Sequence, residues 1–234
     1  MIVITFIRSA LFFAVYYVLV MLMALMAFLM RIFGKNAALM AAHITGSCIP
    51  ICLRVLAGVR FKVEGEIPKG PAILAAKHQS SLETFLLHGL IYRCCYVFKE
   101  ELLKIPILGW GLIATDNIAI KREEGVRAIS LMLANSERVL AQDKRVLVIF
   151  PEGTRRRPGA APAYHSGVAL FYKKFPGIPV YPLALNSGVF LRKGGFLIHP
   201  GTMIFRFLPA MPSGLGKDGF MAKLQETIEN NLPH

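Results

Sequence analysis

The sequence predicts an α/β fold, a mixed sheet flanked by helices, preceded by an N-terminal two-helix membrane-associating element. Three observations lead there. From Val59 onward, short apolar runs alternate with amphipathic helical stretches, the pattern of strands covered by helices. Before them, residues 10–30 hold no charge and almost no polar group, a run as long as the roughly 20 residues that a membrane helix needs. Polar residues with chemical potential gather where the apolar runs end, and ligands of open α/β sheets bind at the carboxyl ends of strands.

The chain has 234 residues, enough for one α/β domain and a smaller appendage. It is 55% hydrophobic and only 18% charged, too apolar for an ordinary soluble domain. Its formal charge of +13 points to an anionic partner. A nucleic acid fits poorly, because aromatic and basic residues are not interleaved and the chain begins with an apolar anchor. A membrane surface fits both features.

Arg8 precedes the first apolar run, and Arg31 and Lys35 follow it, so flanking charge sets no orientation. The run is longer than the ~7–15-residue core of a cleaved signal peptide, which favours a retained anchor. A second apolar segment, 37–59, is interrupted by His43, Pro50 and Arg54. It suits a helix lying in the interface or packed on the first. Residues 1–58 are therefore expected to form the anchoring helices and residues 59–234 the α/β domain. Cys48, Cys52, Cys94 and Cys95 make no CxxC pair at zinc-ligand spacing and read as small buried hydrophobes.

Residues 59–64 alternate as a half-exposed strand does, and 65–71, with two Gly and two Pro, form a turn region. Residues 72–76 are a short, wholly apolar run, as expected of a buried strand. Further strands are expected at 96–98, 117–120, 146–150, 180–185 and 203–208. Helices are expected at 84–92, 99–104, 125–140, 167–173 and 220–232. The helix at 125–140 would turn Val126, Ile129, Leu133, Val139 and Leu140 to the core, and the last would turn Phe220, Leu224 and Ile228. Gly109-Trp110-Gly111 reads as a tight connection.

Three strand ends carry candidate chemistry. After 72–76 comes Lys77-His78-Gln79-Ser80-Ser81-Leu82-Glu83-Thr84. Five positions along a helix is about 500° of rotation, so His78 and Glu83 meet only if His78 lies in the turn before the helix and Glu83 in its first turn. Two readings stay open. Ser80-x-x-Glu83 is a capping box, and Glu83 is an acid able to hold one imidazole nitrogen protonated and leave the other as a base. After 146–150 comes Pro151-Glu152-Gly153-Thr154-Arg155, followed by Arg156 and Arg157. A glycine there lets backbone approach a ligand, and a guanidinium clamps phosphate with two hydrogen bonds; a polar turn with a solvated basic run is the alternative. After 117–120 come Lys121 and Arg122. His78, Glu83 and His88 match no metal-ligand spacing, so no metal is expected, and His43, His165 and His199 read as structural.

These blocks resemble the glycerophospholipid acyltransferase family, and within it the 1-acylglycerol-3-phosphate (lysophosphatidic acid) acyltransferases. The family shows a His-x4-Asp block, a Gly…Ile-x-Arg block, a Phe-Pro-Glu-Gly-Thr-Arg block and a late Pro-containing strand. This chain has His78…Glu83, Gly111…Ile120-Lys121-Arg122, Phe150-Pro151-Glu152-Gly153-Thr154-Arg155 and Val180-Tyr181-Pro182, in the same order over roughly residues 59–208. It departs in having Glu83 for the usual Asp, a variant the family admits, Lys77 for the usual Asn, and Lys121 where an acidic or polar residue often stands.

The resemblance implies a glycerolipid acyltransferase-like fold with His78 as general base oriented by Glu83. It implies Arg122 and Arg155 on a phosphomonoester, Lys121 adding positive charge, Glu152, Gly153 and Thr154 shaping the site, and Pro182 in the late strand near the acyl chain. The implied partners are lysophosphatidic acid, acyl-CoA or acyl carrier protein as donor, and a phospholipid membrane, with no nucleic acid and no cofactor beyond the donor. The implied location is the cytoplasmic membrane with the site on its cytoplasmic side. Another acceptor, such as glycerol 3-phosphate or another lysolipid, is the alternative within the class. A non-catalytic basic protein of the membrane surface is the alternative outside it.

Overall fold

The structure is a computed structural model. It describes residues 2–233 except Arg192 and Lys193, and leaves the side chain of Arg122 undescribed. Helix α1 (Ile2–Met30) is followed by α2 (Lys35–Ser47) and a short α3 (Ile49–Cys52), which widens into a last turn at Leu53–Ala57. The α/β part then contributes β1 (Val59–Glu64), β2 (Ala72–Ala76), α4 (Leu82–Leu90), β3 (Cys94–Lys99), α5 (Leu108–Ala114), β4 (Ile118–Ile120), α6 (Val126–Glu137) and β5 (Val146–Ile149). It closes with α7 (Gly167–Lys174), β6 (Val180–Leu185), α8 (Ser187–Phe190), β7 (Gly201–Phe207) and α9 (Lys217–Glu229).

The strands form one sheet in the order β1-β7-β6-β2-β5-β3-β4. Pairing is parallel throughout except between β6 and β7, so the sheet is mixed, as expected. β2 lies at the centre and is buried at every position, which explains why its sequence does not alternate. Its residues still divide between two cores. Ala72, Leu74 and Ala76 face a core with Phe12, Phe13 and Tyr16 of α1 and Leu82, Leu86 and Leu87 of α4. Ile73 and Ala75 face the other, with Val168 and Phe171 of α7 and Phe220, Leu224 and Ile228 of α9. The sheet is thus sandwiched, with α1 and α4 on one side and α7 and α9 on the other.

α1 is part of this packing along its length. Its Phe13 stacks on Phe196 with centroids 5.2 Å apart, and Phe28 meets Trp110 at 5.5 Å. A Cβ on Gly111 would fall 2.6 Å from Ala24 Cα, so glycine is what lets α5 touch α1. This corrects the reading of Gly109-Trp110-Gly111 as a connection. The stretch is helical, and its glycines serve close approach; a Cβ on Gly109 would sit 2.2 Å from the Leu103 carbonyl oxygen. α6 also differs from expectation. Val126 and Ile129 are exposed, while Ala128 and Ser136 are buried. Those two large residues therefore face away from the core, and the smaller pair faces it. Two helical stretches, Ile2–Phe33 and Lys35–Ala57, are long and apolar enough to cross a membrane.

Candidate active site

Because β2, β5 and β6 are parallel neighbours, the loops leaving their carboxyl ends converge on one place. His78 leaves β2, Glu152 to Arg155 leave β5, and Ser187 leaves β6. Two backbone bonds fix His78 against the β5 loop: its N–H donates to Glu152 Oε2 at 2.9 Å, and its carbonyl accepts the Arg156 N–H at 2.8 Å.

The imidazole lies 2.8 Å from Glu83, Nδ1 to Oε1, and stacks on Phe150 with centroids 3.9 Å apart and planes 18° apart. Glu83 is fully buried. Its carboxylate also accepts the N–H of Gln79 at 2.7 Å, the N–H of Ser80 at 2.9 Å, and the hydroxyl of Ser187. A carboxylate so placed accepts from Nδ1, and in the neutral imidazole that tautomer carries its lone pair on Nε2. The capping box is present in altered form. Glu83 reaches back to the Ser80 N–H, whereas the Ser80 hydroxyl accepts the Leu82 N–H at 3.1 Å and Ser81 is the N-cap. Glu83 therefore ties down the turn that leads into α4 and holds the His78 ring with the same carboxylate.

His78 opens onto a cleft of about 630 Å³ whose other walls include Thr84, Phe150, Gly153, Thr154, Arg155 and His165. Gly153 has φ 61° and donates its N–H to the Phe150 carbonyl at 2.9 Å. That left-handed turn, which glycine adopts without strain, swings Thr154 and Arg155 toward the cleft. A smaller apolar chamber of about 100 Å³ adjoins it, sharing Thr84, Tyr96, Phe98 and Leu102 and reaching Met23 and Ala27 of α1.

The other expected site residues divide. Gly153, Thr154 and Arg155 line the cleft with His78. Glu152 does not; it is fully buried and faces inward to the His78 backbone and Lys77. Lys121 is half exposed and lies 3.4 Å from Glu100 and 3.7 Å from Glu124, engaged by acids rather than aimed at the cleft. Pro182 is buried within β6 beside Ala75, its carbonyl accepting the Leu208 N–H at 3.0 Å; its place is in the sheet that carries the site. The Arg122 side chain lies outside the described residues. Ser187, Phe150 and Gln79, whose side-chain oxygen accepts the Gly188 N–H at 3.1 Å, complete the surroundings of the dyad. So does Lys77. Of these the sequence marked Lys77 as a departure from a pattern and carried Gln79 and Phe150 inside its blocks without a role, while Ser187 was not marked. His165, read as structural, is on the cleft wall. Among the described residues, no group of three or more His, Cys, Asp and Glu is placed to hold a metal ion.

A buried mixed sheet, a His–Glu dyad at the carboxyl edge of its parallel strands and a Glu-Gly-Thr-Arg loop beside it define a class. The family model described as acyltransferase matches residues 59–186, more than half of the chain, and the chain belongs to that family. Among its relatives is a 1-acyl-sn-glycerol-3-phosphate acyltransferase of Pseudomonas aeruginosa, 38% identical over 161 residues, which are 68% of this chain and 62% of that protein. Another, of the same name from Saccharomyces cerevisiae, is 29% identical over 202 residues, 82% of this chain and 66% of that one. The match thus spans just under two thirds of the length of these relatives. The crystal structure of the 1-acyl-sn-glycerophosphate (LPA) acyltransferase of Thermotoga maritima superposes with a TM-score of 0.75 at 20% identity, covering 95% of this chain and 92% of the other. Its fold is the fold seen here.

Proposed function

We propose that the protein moves a fatty acyl chain from an acyl thioester, acyl-CoA or acyl carrier protein, to the 2-hydroxyl of lysophosphatidic acid, giving phosphatidic acid. The observation that carries this reading is the dyad: His78 bound through Nδ1 to a buried carboxylate at 2.8 Å, in a cleft also lined by Arg155. The names of the relatives supply the acceptor.

His78 Nε2 takes the proton of the hydroxyl as its oxygen attacks the thioester carbonyl. Glu83 stabilises the imidazolium that forms. The tetrahedral intermediate collapses with cleavage of the C–S bond, and the proton passes from His78 to the departing thiolate. Acyl transfer is direct, with no acyl-enzyme. Arg155, together with Arg122, holds the phosphomonoester through paired hydrogen bonds, and Gly153 and Thr154 shape the wall beside it. The apolar chamber that continues from the cleft receives part of an acyl chain. No cofactor beyond the acyl donor is required.

Residues 1–58 form the membrane element. Residues 2–57 expose an apolar surface that includes Ile4, Ile7 and Val18 of α1, Ile32 and Phe33 just after it, Ile44 of α2 and Val55 in the turn after α3. The α/β part packs on α1 from Phe13 to Phe28, about 22 Å along the axis at 1.5 Å per residue. A helix flanked over that length by a water-facing domain lies embedded along one face of the bilayer. Its exposed side meets lipid, and the cleft opens at the cytoplasmic surface.

The test is a donor-by-acceptor matrix on the purified full-length chain, with flotation on phospholipid vesicles from the same preparation. Phosphatidate from lysophosphatidate is expected, with acyl-CoA and acyl carrier protein compared as donors. Absence of phosphatidate with either donor overturns the reading, and product only from another lysolipid or glycerol 3-phosphate replaces the acceptor.

A further inference from the structure

Lys77 precedes the base, and the mechanism above does not use it. Its side chain is only 3% exposed, and a buried ammonium is costly unless it is paired. Its Nζ lies 2.6 Å from Glu229 Oε1, to which it donates, and 3.0 Å from Glu152 Oε1. The hydroxyl of Tyr164 donates to the same Glu229 oxygen at 2.8 Å, and the Tyr164 ring centroid is 5.6 Å from the Lys77 Nζ. The other oxygen of Glu152 accepts the His78 N–H at 2.9 Å. A series of contacts therefore runs from the end of α9, through a hydrogen bond to Lys77 and an ion pair from Lys77 to Glu152, whose Oε1 has no hydrogen-bond partner among the described residues, to the backbone of the base.

The series is anchored at Lys77 and at α9. The Lys77 N–H donates to the Leu183 carbonyl of β6 at 2.9 Å. α9 buries Phe220, Leu224 and Ile228, and Arg206 donates to the carbonyl of Asn231 just beyond it at 2.9 Å. Glu229 is the last residue of α9, where the negative end of the helix dipole disfavours a carboxylate. It is held there against local electrostatics by Lys77 and Tyr164. Burial, then the carboxylates of Glu229 and Glu152, push the Tyr164 phenol above its ordinary value, so it remains a donor. One cation thus serves two carboxylates. The carboxylate that shares this ammonium with Glu229 is the one that fixes the His78 backbone.

We propose that α9 is a strut of the active site: Glu229, acting through Lys77 and Glu152, holds His78 in register with Glu83, which makes Lys77 and Glu229 positioning residues. The inference rests on the reading of His78 as the base.

The experiment compares full-length wild type with Glu229→Gln, Tyr164→Phe, Lys77→Met and the double variant Lys77→Met/Glu229→Gln. Glu229 is partly exposed at a helix end, so Glu229→Gln decides the matter even if Lys77→Met fails to fold. Glu229→Gln is expected to lower kcat roughly 10- to 100-fold with KM for donor and acceptor little changed, the signature of misplacement rather than lost binding. Tyr164→Phe should follow in the same direction by less. The double variant should fall no further than Lys77→Met alone, because the two residues act in series. The strut is overturned if Glu229→Gln leaves kcat at the wild-type value, if its loss tracks a loss of folded protein, or if the two losses multiply. The ring resonances of His78, identified by their disappearance in His78→Ala, are recorded on the same samples and should move in Glu229→Gln. They need no turnover. A wild type without product therefore sinks the proposed reaction, while unmoved resonances sink the strut.

Discussion

His78 and His88 stand ten residues apart, one just before α4 and the other in its last turn, and the fold treats them in opposite ways. His78 opens on a cleft, has a carboxylate on Nδ1 at 2.8 Å and rests against Phe150. His88 is buried on the apolar chamber, with Nδ1 3.2 Å from the Cys94 sulfur and its backbone carbonyl 2.9 Å from the His43 ring. Burial first, and then the positive charge of Arg145 and the neighbouring His43, push its pKa down to about 3. Under the proposed reaction, His78 serves as the base because of what surrounds it: an acid on Nδ1 and an open side for a substrate. His88, in the last turn of α4 with an aromatic and apolar wall of its own, stays a neutral packing residue.

The largest expected effect breaks the pair apart. His78→Ala should lower acyl transfer by ~10²–10⁴, the usual worth of a positioned general base, while the protein remains folded and still floats with vesicles. His88→Gln should leave turnover nearly intact in the same assay. Equal losses in both variants would mean that His78 matters only as part of the fold.

Glu83→Gln comes next, and its outcome is set by the hydrogen bonds on the carboxylate. Oε1 faces the His78 ring and the Gln79 N–H, Oε2 faces the Ser187 hydroxyl, and the Ser80 N–H reaches both. A glutamine has one acceptor oxygen, so its NH₂ must point at a donor whichever way it is placed. Activity should fall, and stability should fall as well, by about 1–3 kcal/mol for the buried donors left unmet. Denaturant titration checks the second part. A fully stable but inactive variant would separate the cap from the dyad and assign Glu83 to catalysis alone.

Much of this was legible in the sequence, for reasons that also mark where it stopped being so. Buried strands such as 72–76 and 146–149 are continuous apolar runs, and the chemistry sits directly after them, so the sheet and its carboxyl edge could be placed. The direction of each side chain could not. Glu152 and Arg155 are three residues apart in one motif, yet Glu152 is fully buried while Arg155 lines the cleft, because the turn at Gly153 reverses the chain between them. Val126 and Ile129 have the spacing of a core face but are exposed; periodicity locates a stripe without saying whether protein or another apolar medium covers it. Ser187 and Glu229 left no local signal. Each meets the dyad or its support only through tertiary contacts, across 104 residues from Ser187 to Glu83 and 152 from Glu229 to Lys77.

The smallest expected effect sharpens the contrast between the two histidines through acid stability. With a folded pKa of about 3 against an ordinary value near 6.5, His88 is neutral in the folded chain at a pH where the unfolded chain takes up a proton. The stability it contributes is complete above pH ~6.5. It is lost progressively as pH falls toward 3, by roughly 2 kcal/mol at pH 5 from the 1.5-unit distance below the unfolded pKa. His88→Gln removes that proton uptake. The unfolding free energy of the variant should therefore decline less between pH 7 and pH 5 than that of wild type, by about that amount. Denaturant titrations at the two pH values measure it. Parallel declines would mean that the folded protein admits a proton at His88. That would require the chamber wall, or the contacts around Cys94 and Arg145, to open in acid, and the second histidine would then be less unlike the first than its burial makes it.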